Sequence, residues 1–206
     1  MKIVIISDTH NLHNLINLPR GDILIHCGDL CNSGSIRDVV GFNIWIGKQD
    51  FKHKIVIPGN HDRVFETDYA LAKDVLDNAT LLLDSSVTIE GIKFYGSPWQ
   101  PAFCNWAFNV PRGLELKEKW DNIPLDTDVL ITHGPPHGML DTVPGDGSVG
   151  CEELLLAVER VQPKLHCFGH IHGGYGIDKR ADTVFVNASS CTERYIAANK
   201  PIIIGV

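Results

Sequence analysis

Short, continuous apolar runs recur along the chain and are separated by polar, glycine-rich segments. Because these runs are apolar at every position rather than at alternate ones, they predict strands buried on both faces of a sheet. Five such runs are Ile3 to Ile6, Ile23 to Ile25, Ile55 to Ile57, Val129 to Ile131 and Leu165 to Phe168. Val184 to Val186 and Ile202 to Ile204 predict two further strands, and Val87 to Tyr95 predicts a hairpin that turns at Glu90-Gly91.

Two stretches between the strands have helical periodicity. Apolar residues recur every three or four positions in Ser35 to Gly47 and in Glu152 to Val161, which predicts amphipathic helices packed on a sheet. Leu114 to Trp120 predicts another helix. Strands that alternate with helices, without a repeat or a linker-like segment, predict a layered α/β fold in which residues 1 to 206 form one domain.

The charge balance narrows the class of substrate. The chain has 18 Lys and Arg against 25 Asp and Glu, which gives a net charge of -7. Such a surface offers no broad cationic track for a polymeric DNA or RNA backbone. A small anionic substrate remains compatible with it, because bound metal ions make one cleft locally positive inside an acidic protein.

Cysteine usage and hydropathy point to the cytoplasm. The six cysteines form no CxxC pair, and a chain of 206 residues does not need a disulfide framework, so we expect reduced thiols. The apolar run after Met1-Lys2 is shorter than a signal peptide requires. No stretch approaches the roughly 20 apolar residues of a membrane span, so we expect no membrane partner.

Polar motifs follow the five buried strands. They are Asp8-Thr9-His10, Gly28-Asp29, Gly59-Asn60-His61-Asp62, Thr132-His133-Gly134 and Gly169-His170-Ile171-His172-Gly173. In an open α/β sheet, the loops at the carboxyl ends of the strands converge on one crevice. The motifs are therefore predicted to share one site, although they span most of the chain.

The residue types in these motifs suit a pair of metal ions. Asp, Asn and His supply oxygen and nitrogen donors without a thiolate, a set that favours Mn, Fe, Zn, Co or Ni over Mg or Ca. Two divalent ions, two carboxylates and a bridging hydroxide leave a net charge of about +1, which attracts phosphate oxygens. A lone Asp or His after a strand is usually structural, but five independent turns do not supply one coordination set.

The order D-x-H, G-D, G-N-H-D, H and G-H-x-H resembles the calcineurin-like metallophosphoesterase superfamily. A closer resemblance, to the metallophosphoesterase-domain-containing phosphodiesterases, rests on four segments: Gly96-Ser97-Pro98-Trp99, Trp106-Ala107-Phe108-Asn109, Thr132-His133-Gly134-Pro135-Pro136 and Val186-Asn187-Ala188-Ser189. This resemblance implies a sandwich of two mixed β-sheets flanked by helices, and two divalent transition-metal ions. It also implies a ligand set, in which one ion is held by Asp8, His10 and His172, the other by Asn60, His133 and His170, and both by Asp29.

The expected function is hydrolysis of a small phosphodiester, such as a cyclic nucleotide, by attack of a metal-bridging hydroxide. A phosphomonoesterase with the same dinuclear site is the alternative within enzymes, and a non-catalytic scaffold that binds a protein through the metal face is the alternative outside them. His61 is expected to protonate the leaving oxygen, and Asp62 to orient His61 and raise its basicity. Such a role is favoured because His61 adjoins a ligand and is not itself assigned to a metal.

The segment Gly96 to Gly113 is rich in aromatic residues. Its side chains either wall the crevice and contact the organic part of the substrate, or simply pack the segment onto the core. Sequence alone leaves both interpretations open for Trp99, Phe103, Trp106 and Phe108.

Overall fold

The computed structural model describes residues 1–205. The strands, numbered in chain order, are β1 Lys2–Ile6, β2 Ile23–His26, β3 His53–Val56, β4 Thr80–Leu81, β5 Ser85–Ile89, β6 Ile92–Ser97, β7 Gln100–Pro101, β8 Asn109–Val110, β9 Val129–Thr132, β10 Thr142–Val143, β11 Gly147–Ser148, β12 Leu165–Phe168, β13 Gly176–Arg180, β14 Thr183–Asn187 and β15 Ile202–Gly205. The α-helices are α1 Ile36–Gly47, α2 Val64–Thr67, α3 Tyr69–Val75, α4 Leu114–Asp121 and α5 Glu152–Val161. Single 3₁₀ turns occur at His13–Leu15 and His172–Gly174.

Two mixed sheets form the centre of the fold, as the family resemblance implied. The first has the order β15-β1-β2-β3-β4, in which β15 alone runs antiparallel to its neighbour. The second has the order β13-β14-β12-β9-β6-β5, with antiparallel pairs at both edges and parallel pairs between them. Two short ribbons, β7-β8 and β10-β11, form separate two-stranded sheets.

Alternation along each strand sends side chains to two different cores. In β1, Ile3 and Ile5 pack between the two sheets, whereas Val4 and Ile6 pack beneath a layer that contains α1. On the far side of the second sheet, residues of α4 and α5 cover its outer face. The central strands β2, β9 and β12 are buried at every position because both of their faces are covered, which explains their nearly continuous apolar runs.

Local signals fix several element ends. Helix α1 begins after Ser35, whose hydroxyl accepts from the Asp38 amide while the Asp38 carboxylate accepts from the Ser35 amide, which forms a capping box. The β5-β6 hairpin turns through Glu90 and Gly91, both at positive φ. Among residues 1–205, none of the helices has the length and apolar character needed to cross a bilayer.

Candidate metal centre

The structure brings the predicted ligands together at the seam between the two sheets. Four of them follow β1, β2 and β3 of the first sheet, and three follow β9 and β12 of the second sheet. Among residues 1–205, three groups of His and Asp side chains lie close enough to hold a metal ion: Asp8 with His10 and His172, Asp8 with Asp29 and His133, and His10 with Asp29 and His61. The first group is one of the two triads that the resemblance implied.

Asp29 lies between two sets of donors. Its Oδ2 is 3.8 Å from His10 Nε2, and its Oδ1 is 3.4 Å from His133 Nε2. On the His10 side, His172 Nε2 lies 3.4 Å from His10 Nε2 and 3.5 Å from Asp8 Oδ1. On the other side, Asn60 Oδ1 lies 2.8 Å from His133 Nε2. One carboxylate thus presents one oxygen to each set, which is the geometry that a bridging ligand requires.

The backbone at these positions is unusual. Asp8, His10, Asp29 and His170 all have positive φ values, between 43° and 66°, which non-glycine residues rarely adopt. A Cβ built on Gly59 would lie 2.4 Å from Asp29 Oδ1, so only glycine fits beside that carboxylate. Four such backbone conformations within one cluster of polar residues are typical of a functional site.

Hydrogen bonds set the tautomers of three imidazoles. The Nδ1 atoms of His10, His133 and His172 lie 3.3, 2.9 and 3.0 Å from the backbone carbonyls of Cys31, Cys27 and Thr192. A carbonyl only accepts, so each Nδ1 carries a proton, and in its neutral form each ring directs the Nε2 lone pair toward the carboxylates. Lone pairs and carboxylate oxygens that face one another need a cation between them, and the donor set therefore fits divalent metal ions.

His170 reaches the site in a different way. Its backbone N–H donates to both oxygens of Asp8, at 3.1 and 3.0 Å, and its ring lies 5.0 Å from that of His133. The side chain lines the same cavity as Asp29 and Asn60. The ring is therefore positioned on the His133 side of the centre, where the resemblance placed it.

In the metal-free site, protons balance the carboxylates. Burial lowers the pKa of His133, but the Asp29 and Asp8 carboxylates outweigh this effect and raise that pKa to about 9. Burial raises the pKa of Asp29. The charge and the hydrogen bond of His133 lower this pKa by more than burial raises it, so the net shift is downward. Burial and the nearby His133 lower the pKa of His170 to about 4.

Metal loading is therefore expected to release a proton from His133. In the metal-free protein at pH 7.5, which is below the raised pKa of about 9, this ring is protonated, and coordination through Nε2 requires its neutral form. Imidazole ¹⁵N spectra should show His133 as the cation until about pH 9, and as the neutral ring at pH 7.5 after zinc is added. His170 serves as the internal control, because it should already be neutral at that pH. A neutral His133 in the metal-free protein at pH 7.5 would contradict the expectation.

His61 is held beside the centre by three contacts. Its Nδ1 lies 2.7 Å from the Asn32 carbonyl, its backbone N–H donates to Asp29 Oδ1 at 2.8 Å, and its ring stacks on Trp106 with centroids 4.1 Å apart. Because Nδ1–H donates to Asn32, Nε2 is the nitrogen left to serve the cavity that His61 lines. No sequence signal indicated Asn32, since a backbone carbonyl can come from any residue.

The expected contact between Asp62 and the His61 imidazole is wrong. The Asp62 carboxylate instead accepts from the backbone N–H groups of Cys31 at 2.8 Å, Gly59 at 2.8 Å and Leu30 at 3.3 Å. Asp62 therefore ties the loop after β2 to the loop after β3, and Asn32 orients the imidazole.

The four aromatic candidates divide into two groups. Phe103 and Trp106 line a cavity of about 760 Å³ that opens at the metal centre. Trp99 and Phe108 instead pack with the residues beneath α1, and Trp99 Nε1 donates to Asp84 at 2.7 Å. Of the two interpretations that the sequence left open, packing onto the core therefore holds for Trp99 and Phe108.

Residues late in the chain also support the site. Ser189 Oγ lies 2.9 Å from Asp8 Oδ2 and 2.9 Å from Asn187 Oδ1, while Asn187 donates to the Ile171 carbonyl at 2.8 Å. The Val186-Asn187-Ala188-Ser189 segment thus fixes a carboxylate and the loop before His172. The Tyr195 ring lies 4.8 Å from that of His10 and 5.3 Å from that of His172, and no sequence motif indicated it.

Comparison with known proteins agrees with this geometry. A family model described as calcineurin-like phosphoesterase matches residues 1–174. The human protein named metallophosphoesterase domain-containing protein 1 is 45% identical over 228 residues, which cover 98% of this chain and 70% of the relative.

Two solved structures have a similar fold. A Thermus thermophilus protein, TT1561, aligns with a TM-score of 0.64 and 15% identity, over 90% of this chain and 88% of that chain. A structure described as a novel archaeal phosphodiesterase aligns with a TM-score of 0.51 and 20% identity, over 93% of this chain and 85% of that chain.

Proposed function

Since the chain belongs to the calcineurin-like phosphoesterase family, we propose that it is a metal-dependent phosphodiesterase acting on small phosphodiesters, such as cyclic nucleotides. The observation that carries this proposal is Asp29, whose two oxygens face two separate sets of donors. In this proposal Asp8, His10, His172 and Asp29 hold one divalent ion, and Asn60, His133, His170 and Asp29 hold the other. Mn, Fe, Zn, Co and Ni suit the mixed nitrogen and oxygen donors.

The ions, when bound, would lower the pKa of a water and withdraw charge from the phosphoryl oxygens. The protein's own part is to place the ester and to deliver a proton. His61, fixed by Asn32 and Trp106, presents Nε2 to the cavity and would protonate the departing oxygen. Trp106 thus acts on the reaction through the orientation of His61.

A phosphomonoesterase is the competing proposal, and charge favours it. A monoester dianion is attracted more strongly than a diester monoanion to a centre near +1, by about 1 kcal/mol for one extra charge at ~4 Å in water. The cavity favours the diester, because it gives room to a second organic group beside Phe103 and Trp106. Stacking of a base on an aromatic side chain contributes about 1 to 3 kcal/mol, so stacking in the cavity outweighs the electrostatic preference for the monoester.

The test is a comparison of matched substrates after controlled metal loading. We expect the protein, stripped and reloaded with Mn, Fe, Zn, Co or Ni, to show a higher kcat/KM for bis(p-nitrophenyl) phosphate than for p-nitrophenyl phosphate. Reloading with Mg is the control and should restore much less turnover. Cyclic 2′,3′- and 3′,5′-nucleotides measured in the same series would identify the nucleotide class. A higher kcat/KM for the monoester would reject the diester proposal.

We also propose that the protein works in the cytoplasm as a single domain. All six cysteines are free, and five of them are buried, which supports a reducing compartment.

A further inference from the structure

The cavity beside the metal centre lacks a free cationic side chain. Among the described residues that line it, Arg112 is the only Arg or Lys. Its guanidinium donates to the Gly150 carbonyl at 2.8 Å, to the Val149 carbonyl at 2.7 Å and to the Glu152 carboxylate. Arg112 is therefore neutralised and held by the wall of the cavity, and it is not available to bind a phosphate.

Two carboxylates line the same cavity besides that of Asp29. Glu193 and Asp146 are both exposed, and neither forms an ion pair in residues 1–205. A Cβ built on Gly173 would lie 2.8 Å from Glu193 Oε1, so this carboxylate sits against the residue that follows His172. Negative charge therefore lines the cavity beside the metal ligands.

Tyr195, two residues after Glu193, places an aromatic ring beside the metal centre. Tyr195 lies in a tight turn in which its N–H donates to the Thr192 carbonyl at 2.8 Å, and the same carbonyl holds His172 Nδ1. Its φ of 55° is strained for a tyrosine, and its side chain is 47% exposed although it lines the cavity. A strained backbone that presents an exposed ring to a polar centre is typical of a ligand contact.

We propose that this cavity selects esters that carry a single phosphate and an uncharged aromatic group. Tyr195 receives the aromatic group, while Glu193 and Asp146 repel any second phosphate. This selection rests on the proposed function, because it assumes that the metal centre binds the first phosphate. It deepens that function by excluding nucleotides with two or more phosphate groups and oligonucleotides.

Binding of two nucleotides separates charge selection from catalysis. Calorimetry on the manganese-loaded protein would compare thymidine 5′-monophosphate with thymidine 3′,5′-bisphosphate. We expect Glu193→Gln and Asp146→Asn each to shift the ratio of the two Kd values toward the bisphosphate by about threefold, as for unit charges roughly 6 Å apart in water. Glu118→Gln changes the net charge equally on α4, away from the cavity, and should leave the ratio unchanged. Equal ratios in all three variants would overturn the charge selection.

Two substitutions at Tyr195 test the aromatic contact. Tyr195→Leu should weaken binding of thymidine 5′-monophosphate by about tenfold, within the range for loss of one base-aromatic stack, whereas Tyr195→Phe should keep it. Equal affinity of Tyr195→Leu and the wild type would overturn the assignment. If these binding shifts appear but no diester is hydrolysed, the proposed function fails and the selection stands. If diesters are hydrolysed without the shifts, only the selection fails.

Discussion

Replacing Asp29 with alanine is expected to empty both metal positions and to lower kcat/KM by about 10³-fold or more. The two Asp29 oxygens face His10 on one side and His133 on the other, so one truncation removes a ligand from each set. A pair of divalent ions contributes several kcal/mol of transition-state stabilisation, which sets the size of the effect. Metal analysis by mass spectrometry and steady-state kinetics on an aryl diester would measure both losses.

Two further variants serve as comparisons for Asp29→Ala. His10→Ala should mainly empty one position, because His10 lies on a single side of Asp29. Asp74→Ala, at an exposed position of α3, removes a carboxylate outside the cavity and should retain both ions. Retention of two ions by Asp29→Ala would remove the bridging role of Asp29 from the proposal.

His61→Ala is expected to keep its metals and to lose on the order of 10² to 10⁴ in kcat, the usual contribution of a general acid or base. The predicted ligand set does not include His61, whose ring is held by the Asn32 carbonyl and by Trp106. The loss should be larger for an alkyl leaving group than for p-nitrophenol, since the poorer leaving group needs the proton more. Turnover of both substrates, normalised to measured metal content, would show this dependence.

A matched histidine variant separates this role from a nonspecific effect of replacing histidine with alanine. His53→Ala changes a partly buried histidine of β3 outside the cavity and should keep normal turnover. Near-normal turnover in His61→Ala, or an equal loss for both leaving groups, would show that His61 does not protonate the departing oxygen.

The sequence predicted the elements that are buried and periodic. Helix α5 occupies Glu152–Val161, the predicted bounds, because its apolar residues recur at helical spacing and face the second sheet. The edge strand β13, Gly176–Arg180, was not predicted because its residues are mostly exposed and show no apolar pattern. It forms by backbone pairing with β14, which its own sequence does not indicate. The short ribbons were missed for the same reason, since two-residue strands have no periodicity to detect.

The ligand motifs of the candidate site could be predicted from the chain topology. The residues that contact the site only through tertiary folding could not. Parallel strands of one sheet end at one edge, so the motifs after β1, β2 and β3 had to meet, and so did those after β9 and β12. The packing of the two sheets then brings these two edges together. The partner of the His61 ring could not be predicted, because Asn32 contributes a backbone carbonyl. Tyr195 could not be predicted either, because its contact with His10 depends on how a late turn folds back over the first strand. The assignment of the seven ligands and of His61 stays a prediction.

The division of the ligands between two sheets has a consequence for the lifetime of the protein. Asp8 and Asp29 follow strands of the first sheet, and His133 and His172 follow strands of the second, so an ion bound by both pairs would act as a crosslink across the seam. The free energy of metal binding would then add to the free energy of unfolding, which would rise with the logarithm of the free metal concentration. Metal scarcity would therefore do more than slow turnover. It would raise the open population that proteases attack, and the abundance of the protein would follow the metal supply.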